Sequence, residues 1–183
     1  MTNVDVAATG FIGIVALTAG SMFGAAHGIA GPRLNLSPSI PMGLYVYVPG
    51  AVHRGEFVQA CLPDALASYA VAQKILFTGG ACANGSEPIV KVLAGLPGDV
   101  VNVDRDVRVN GRTWPSSTIR SIDSRGRAVD LRLARGTFVV AAHSMLLLGL
   151  HPRSWDGRYF GALPSSAVTG RWFPILADKK VTL

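Results

Sequence analysis

Ile89-Val90-Lys91-Val92-Leu93-Ala94-Gly95-Leu96-Pro97-Gly98-Asp99 is an apolar run with one charge in its middle and a turn at its end. Its β-branched and aliphatic residues predict a strand over Ile89 to Leu93, and the Pro-Gly pair marks the turn. A strand sends alternate side chains to opposite faces. Ile89, Lys91 and Leu93 therefore share one face, and Val90 and Val92 the other. Whichever face is buried, Lys91 has apolar neighbours. An ordinary lysine has a pKa near 10.4, so only roughly one in two thousand is neutral at neutral pH. A lysine that acts as a general base needs a depression of about three units, about 4 kcal/mol, and burial in such a strand is one way to supply it. The plainer reading, an edge-strand lysine whose ammonium reaches water, is the commoner occurrence for an isolated lysine.

Outward from this run the chain is rich in strands. Leu44-Tyr45-Val46-Tyr47-Val48 and Gly55 to Ala60 read as strands before it; Asp99 to Val103, Val107 to Val109, Val129 to Leu133 and Thr137 to Ala142 read as strands after it. Asn110-Gly111 signals a tight hairpin turn. With 21 Gly and 11 Pro in 183 residues, turns are frequent. Apolar spacing predicts one helix, Asp64 to Ile75, with Asp64 as its cap. Ile29 to Pro41 reads as an extended linker, and Ser165 to Leu176 closes the body. The expectation is a mainly β fold, a coiled antiparallel sheet with one short helical excursion.

The linker carries Ser37-Pro38-Ser39-Ile40-Pro41-Met42-Gly43-Leu44. Pro38 and Pro41 restrict the backbone around Ser39, which helps to hold its hydroxyl in one place. A serine nucleophile paired with a neutral lysine base is a known relative of the Ser-His-Asp arrangement. Ser37, two residues earlier, can donate its hydroxyl to a tetrahedral oxyanion together with a backbone N–H. A turn-rich linker is the plainer alternative.

Composition narrows the classes. The chain is 49% hydrophobic and 15% charged, against roughly 25% charged in a typical soluble protein. Mean hydropathy is +0.36. The net charge of +6 comes from scattered residues, with Lys179-Lys180 the only adjacent basic pair. Aromatic residues do not interleave with them, which argues against nucleic-acid binding. Val6 to Ala26 contains no charged residue, and as a helix would span about 31 Å, enough to cross a bilayer. A cleaved secretory signal competes with an anchor here, but the flank carries Asp5 and no Lys or Arg, unlike a basic n-region. An uncleaved anchor over residues 1–30, a body over 31–183 and a lipid bilayer as partner are the expectation. Ser39 lies at most about 45 Å of chain from the end of the span.

Cys61 and Cys82 are the two cysteines. A disulfide between them would close a loop of about 22 residues and contribute roughly 3 kcal/mol. Two buried free thiols are the equal alternative. No Cys-x-x-Cys or His-x-x-x-His spacing exists, so neither a metal site nor a cofactor is expected. His27, His53, His143 and His151 offer a histidine-based triad as a rival to Lys91, yet no Gly-x-Ser-x-Gly elbow is present for them to serve. In Ser154-Trp155-Asp156-Gly157-Arg158-Tyr159-Phe160-Gly161, Asp156 and Arg158 flank a glycine and can pair locally.

Taken in order, Ser37-x-Ser39-x-Pro41, the Lys91 run through Leu-Pro-Gly-Asp, and Ser154 to Gly161 resemble the three sequence boxes of bacterial type I signal peptidases. Ser-Ile-Pro-Met-Gly-Leu-Tyr, the Cys61/Cys82 pair around a short helix and the compact body are most similar to the TraF branch, whose members mature pilins for conjugative transfer. The resemblance spans about Asn35 to Phe173. It implies Ser39 as nucleophile, Lys91 as general base, Ser37 as an oxyanion-hole hydroxyl, Ser154 as the hydroxyl that positions the lysine, and Asp156 and Arg158 as braces of the loop. It also implies a single-pass protein of the bacterial inner membrane with its body in the periplasm, and hence a Cys61–Cys82 disulfide. The usual Gly-Asp-Asn-Arg run is replaced by Leu148-Gly149-Leu150-His151-Pro152-Arg153, and the basic residue that commonly follows the lysine is Val92. The implied activity is an endopeptidase acting on a membrane-inserted pilin precursor, alongside other components of a transfer apparatus, with hydrolysis or cyclisation as the outcome. A general signal peptidase and a non-catalytic assembly component are the alternatives; a self-cleaving LexA-like repressor fits less well, because no helix-turn-helix pattern occurs.

Overall fold

The computed structural model describes residues 31–123, 125–129 and 135–178. The expected anchor, the boundary at residue 30 and all but Val129 of the strand expected at Val129 to Leu133 lie outside these residues. Among the described residues no helix is long and apolar enough to cross a membrane.

Among the described residues, eleven strands form two antiparallel sheets. The larger contains β1 (Gly31–Asn35), β2 (Gly43–Pro49), β3 (Phe57–Ala60), β4 (Ile89–Gly95), β9 (Ser144–Leu148), β10 (Leu163–Pro164) and β11 (Val168–Ala177). Their order is β1-β2-β11-β3-β4-β9-β10. The smaller contains β5 (Val100–Val103), β6 (Val107–Val109), β7 (Arg112–Thr113) and β8 (Gly136–Val139), in the order β7-β6-β5-β8. The Asn110-Gly111 turn joins β6 to β7 with φ of 50° and 79°, the pair of positive values that a two-residue type I′ hairpin turn requires.

β4 occupies an interior position, with β3 on one side and β9 on the other. The register sets Val58 opposite Lys91 and Leu147 opposite Leu93. Val58, Ile89, Leu93 and Leu147 belong to one buried apolar cluster. Lys91 is therefore an interior-strand residue, and the edge-strand alternative does not apply.

Four differences from the sequence expectations have physical causes. The segment read as a linker contains β1, an edge strand, where Pro32 is tolerated because its missing N–H need not pair inward. β9 holds the Met145 to Leu148 run, which shows no alternation because Leu146, Leu147 and Leu148 are all fully buried. The first helix, α1, covers Asp64–Ala72 and follows Pro63; Asp64 opens it without a side-chain cap. It ends early because Lys74 takes φ of 55°, with Ile75 N–H donating to Ala70 O and Lys74 N–H to Val71 O, a Schellman closure. A second helix, α2 (Gly157–Phe160), is present besides α1, so among the described residues the single helical excursion is corrected to two. Four residues show no periodicity from which to read it.

Candidate active site

Three segments converge on β4. The β1–β2 turn brings Ser37 and Ser39, β4 brings Lys91, and the segment from Gly149 to Arg158 follows β9. The turn is shaped by Asn35, whose Oδ1 accepts from Ser37 N–H at 3.0 Å. Asn35 Nδ2 donates to the carbonyls of Ser37 (2.8 Å) and Pro41 (2.9 Å) and approaches that of Ile40 (3.2 Å). Tyr45 OH closes the same turn on Pro41 O at 2.6 Å. The nucleophile candidate is thus held by side chains as well as by its flanking prolines. Leu150 N–H donates to Ser39 O at 2.8 Å, tying this turn to the chain after β9.

Lys91 Nζ donates to Ser39 Oγ at 2.7 Å, a short charge-assisted contact. Lys91 is 6% and Ser39 8% exposed. Burial drives the Lys91 pKa down from 10.5 to about 8; Asp156 pulls it up and Arg158 pushes it down. A carboxylate and a guanidinium that neutralise each other leave desolvation to decide. Ser154 Oγ stands 3.3 Å from Ser39 Oγ, so it contacts the serine rather than the lysine. Ser39 N–H points to Ser37 Oγ at 3.3 Å; the two groups expected to serve an oxyanion are adjacent.

Asp156 and Arg158 form a closed buried pair. Arg158 Nε donates to Asp156 Oδ1 at 2.8 Å and Nη2 to Oδ2 at 3.0 Å. Arg158 also donates to Ser116 O at 2.8 Å and approaches Gly149 O at 3.3 Å. Asp156 caps α2 through Arg158 N–H and accepts from Gly149 N–H at 2.7 Å. A Cβ at Gly149 would lie 2.1 Å from Ser154 Oγ, so only glycine allows Ser154 to approach. Trp114 Nε1 adds a bond to Gly149 O at 3.1 Å. Trp155 stacks on Tyr69 of α1 at 6.0 Å and meets Phe160 edge-on at 4.9 Å.

Cys61 and Cys82 are joined in a disulfide, with a Cα–Cα distance of 5.6 Å. It ties the end of β3 to the loop beyond α1, and that excursion forms one wall of a groove of about 1380 Å³ lined by Ser39, Lys91 and Ser154. His151 also lines the groove, but no hydrogen bond links it to Ser39. Among the described residues no cluster of His, Cys, Asp and Glu could hold a metal ion.

Sequence reasoning did not single out Asn35, Gly149 or Trp114. Asn35, two residues before Ser37, carried the pattern of an Asx turn. The other two act through a backbone carbonyl and a close approach, which leave no pattern in a sequence. Chemically, a buried lysine that loses its proton near neutral pH, touching a hydroxyl at the floor of an open groove, can deprotonate that hydroxyl.

Residues 4–176 match the family described as signal peptidase, peptidase S26. The chain is 32% identical over 166 residues to the conjugal transfer protein TraF of Agrobacterium tumefaciens (strain 15955), covering 88% of each chain. It is 30% identical over 154 residues to a plasmid transfer protein TraF of Escherichia coli, covering 84% of this chain and 86% of that one. A signal peptidase I from Enterococcus faecalis V583 is similar at 22% identity and a TM-score of 0.38, covering 68% of this chain and 98% of that one. With the family match running over nearly its whole length and curated TraF proteins similar over most of it, this chain belongs to the peptidase S26 family of signal peptidases.

Proposed function

We propose that this protein is a membrane-anchored serine endopeptidase that works through a Ser39/Lys91 dyad on a pilin precursor for conjugative transfer. The buried 2.7 Å contact between Lys91 Nζ and Ser39 Oγ carries the reading. Lys91, once neutral, accepts the Ser39 hydroxyl proton as Oγ attacks the scissile carbonyl carbon. The tetrahedral oxyanion is met by the Ser37 hydroxyl and the Ser39 N–H, which turns away from Ser37 as the oxyanion forms. Lys91 then gives the proton to the leaving amine, and an ester links the peptide to Ser39. Water adding to that ester releases an acid; an amino terminus of the same pilin adding instead forms an amide and closes a ring. Ser154 steadies the Ser39 hydroxyl, while Asp156 and Arg158 hold the loop that presents it.

Support for a substrate in conjugation comes from the similar proteins, which are named conjugal or plasmid transfer proteins. The uncharged Val6 to Ala26 segment and the Cys61–Cys82 disulfide support a single-pass inner-membrane protein, anchored by residues 1–30, with the body from residue 31 to 183 in the oxidising periplasm. A general signal peptidase is the second reading, favoured by the family description itself.

The test is intact-mass spectrometry of a candidate pilin precursor co-expressed with this protein or with Ser39→Ala. A shorter product that requires Ser39 is expected, and a further loss of one water would identify cyclisation. Processing that persists with Ser39→Ala would overturn the dyad.

A further inference from the structure

The dyad leaves unused a concentration of positive charge along the same groove. Besides Lys91, six Lys and Arg side chains line it against two carboxylates, Glu87 and Asp123. Asp123 is already committed to Arg127 at 2.7 Å. Two exposed guanidiniums, those of Arg120 and Arg153, make no hydrogen bond or ion pair among the described residues.

Both line the groove that holds the nucleophile, and backbone bonds fix the segments that carry them. Arg120 N–H donates to Tyr159 OH at 3.3 Å, next to Arg158. Arg153 N–H donates to His151 Nδ1 at 3.2 Å. Besides burial, the charges of Arg153, Arg158 and Arg120 all act on His151 to disfavour its imidazolium form, and Arg120, Arg153 and His151 line the same groove. Asp156 satisfies Arg158, whereas among the described residues no carboxylate pairs with Arg120 or Arg153. A neutral His151 that accepts at Nδ1 carries its proton on Nε2 and presents a third donor. The neighbouring residue, Leu150, is the one bonded to the Ser39 carbonyl.

We infer that Arg120, Arg153 and His151 Nε2 form a carboxylate-binding subsite of the groove, which holds an acidic side chain or a terminal carboxylate of the peptide being cut. This rests on the peptidase reading and adds a charge criterion to substrate choice. Guanidiniums are suited to it, since their forked donors match a carboxylate in pairs.

Binding to the full-length Ser39→Ala protein in detergent tests the subsite without turnover. The probe is a fluorescein-labelled alanine-rich peptide in four forms, with Glu or Gln at its centre and a free or amidated C-terminus. Carboxylate-bearing forms should bind about tenfold more tightly than the neutral form, and added salt should shrink the gap. Whichever carboxylate gives the gain identifies its source. Adding Arg120→Gln and Arg153→Gln should erase the gap and leave binding of the neutral peptide unchanged, which also reports an intact groove. Lys at both positions should retain part of it. Equal binding of all forms, or a gap that survives the double change, would overturn the subsite. So would a loss confined to binding of phosphatidylglycerol vesicles, which would assign the arginines to the bilayer. Failure of the peptidase reading is seen separately, as an absence of cleavage by the protein that keeps Ser39.

Discussion

Lys91 and Arg158 are both buried cations of one site, 6% and 1% exposed, yet only Arg158 has a carboxylate against it. Arg158 spends its donors on both oxygens of Asp156 and on two backbone carbonyls. Each of its three nitrogens is paired. Lys91 meets a single neutral hydroxyl, and burial drives its pKa to about 8. The difference teaches how one fold holds a structural cation and a chemical base in one site: the buried guanidinium is matched by a carboxylate, and the buried lysine, left without one, is pushed by desolvation towards its neutral form. Asp156 raises the Lys91 pKa from a distance, and Arg158 opposes it.

The comparison breaks most visibly if Lys91 is given the property of Arg158. Lys91→Arg keeps a cation that cannot be deprotonated, so kcat/KM for precursor cleavage should fall by about 10⁴-fold or more, as should that of Lys91→Ala. Activity within tenfold of the original in Lys91→Arg would show that deprotonation is not needed. Next in size is the reverse operation, giving Arg158 the isolation of Lys91. Asp156→Ala leaves a buried guanidinium without its carboxylate and should cost about 3–5 kcal/mol in denaturant unfolding; a loss under 1 kcal/mol would mean that the pair contributes little.

Lys91→Met sharpens the same contrast through pH. The folded pKa of about 8 lies below the ordinary 10.5, so the unfolded chain binds more protons between these values. Stability of the original protein therefore carries the full penalty below about pH 8 and recovers as pH rises towards 10.5. The advantage of Lys91→Met should shrink by about 3 kcal/mol across that window, measured by urea unfolding at several pH values. A constant difference would place Lys91 in ordinary solvent. The smallest effect should come from Gly149→Ala, whose methyl group would collide with Ser154 Oγ. It should cost about 1–3 kcal/mol and lower activity by displacing Ser154 from Ser39; unchanged activity would remove Ser154 from the supporting set.

Much of this was legible in the sequence, for identifiable reasons. Lys91 stood out because a charge in an apolar strand has few explanations, and Ser39 because two prolines bracket it. Asp156 and Arg158 were visible as a pair around Gly157, although the helix they cap was not. Of the strands expected from β-branched or aromatic content, those within the described residues were found in place at β2, β3, β4, β5, β6 and β8. What escaped was carried by tertiary context. β1 looked like a linker because Pro32 is acceptable only at an edge, and a sequence does not say where edges fall. β9 shows no alternation because it is buried on both faces. Gly149 matters through the closeness of Ser154, which depends on two segments meeting in space.

The most direct test of the contrast between the two cations is a carbon- and nitrogen-detected NMR titration of Lys91 in the full-length protein, assigned against Lys91→Arg. The side-chain resonances should titrate with a midpoint near 8, as its buried surroundings require. A midpoint at or above the ordinary 10.5 would contradict a base made by burial beside Ser39.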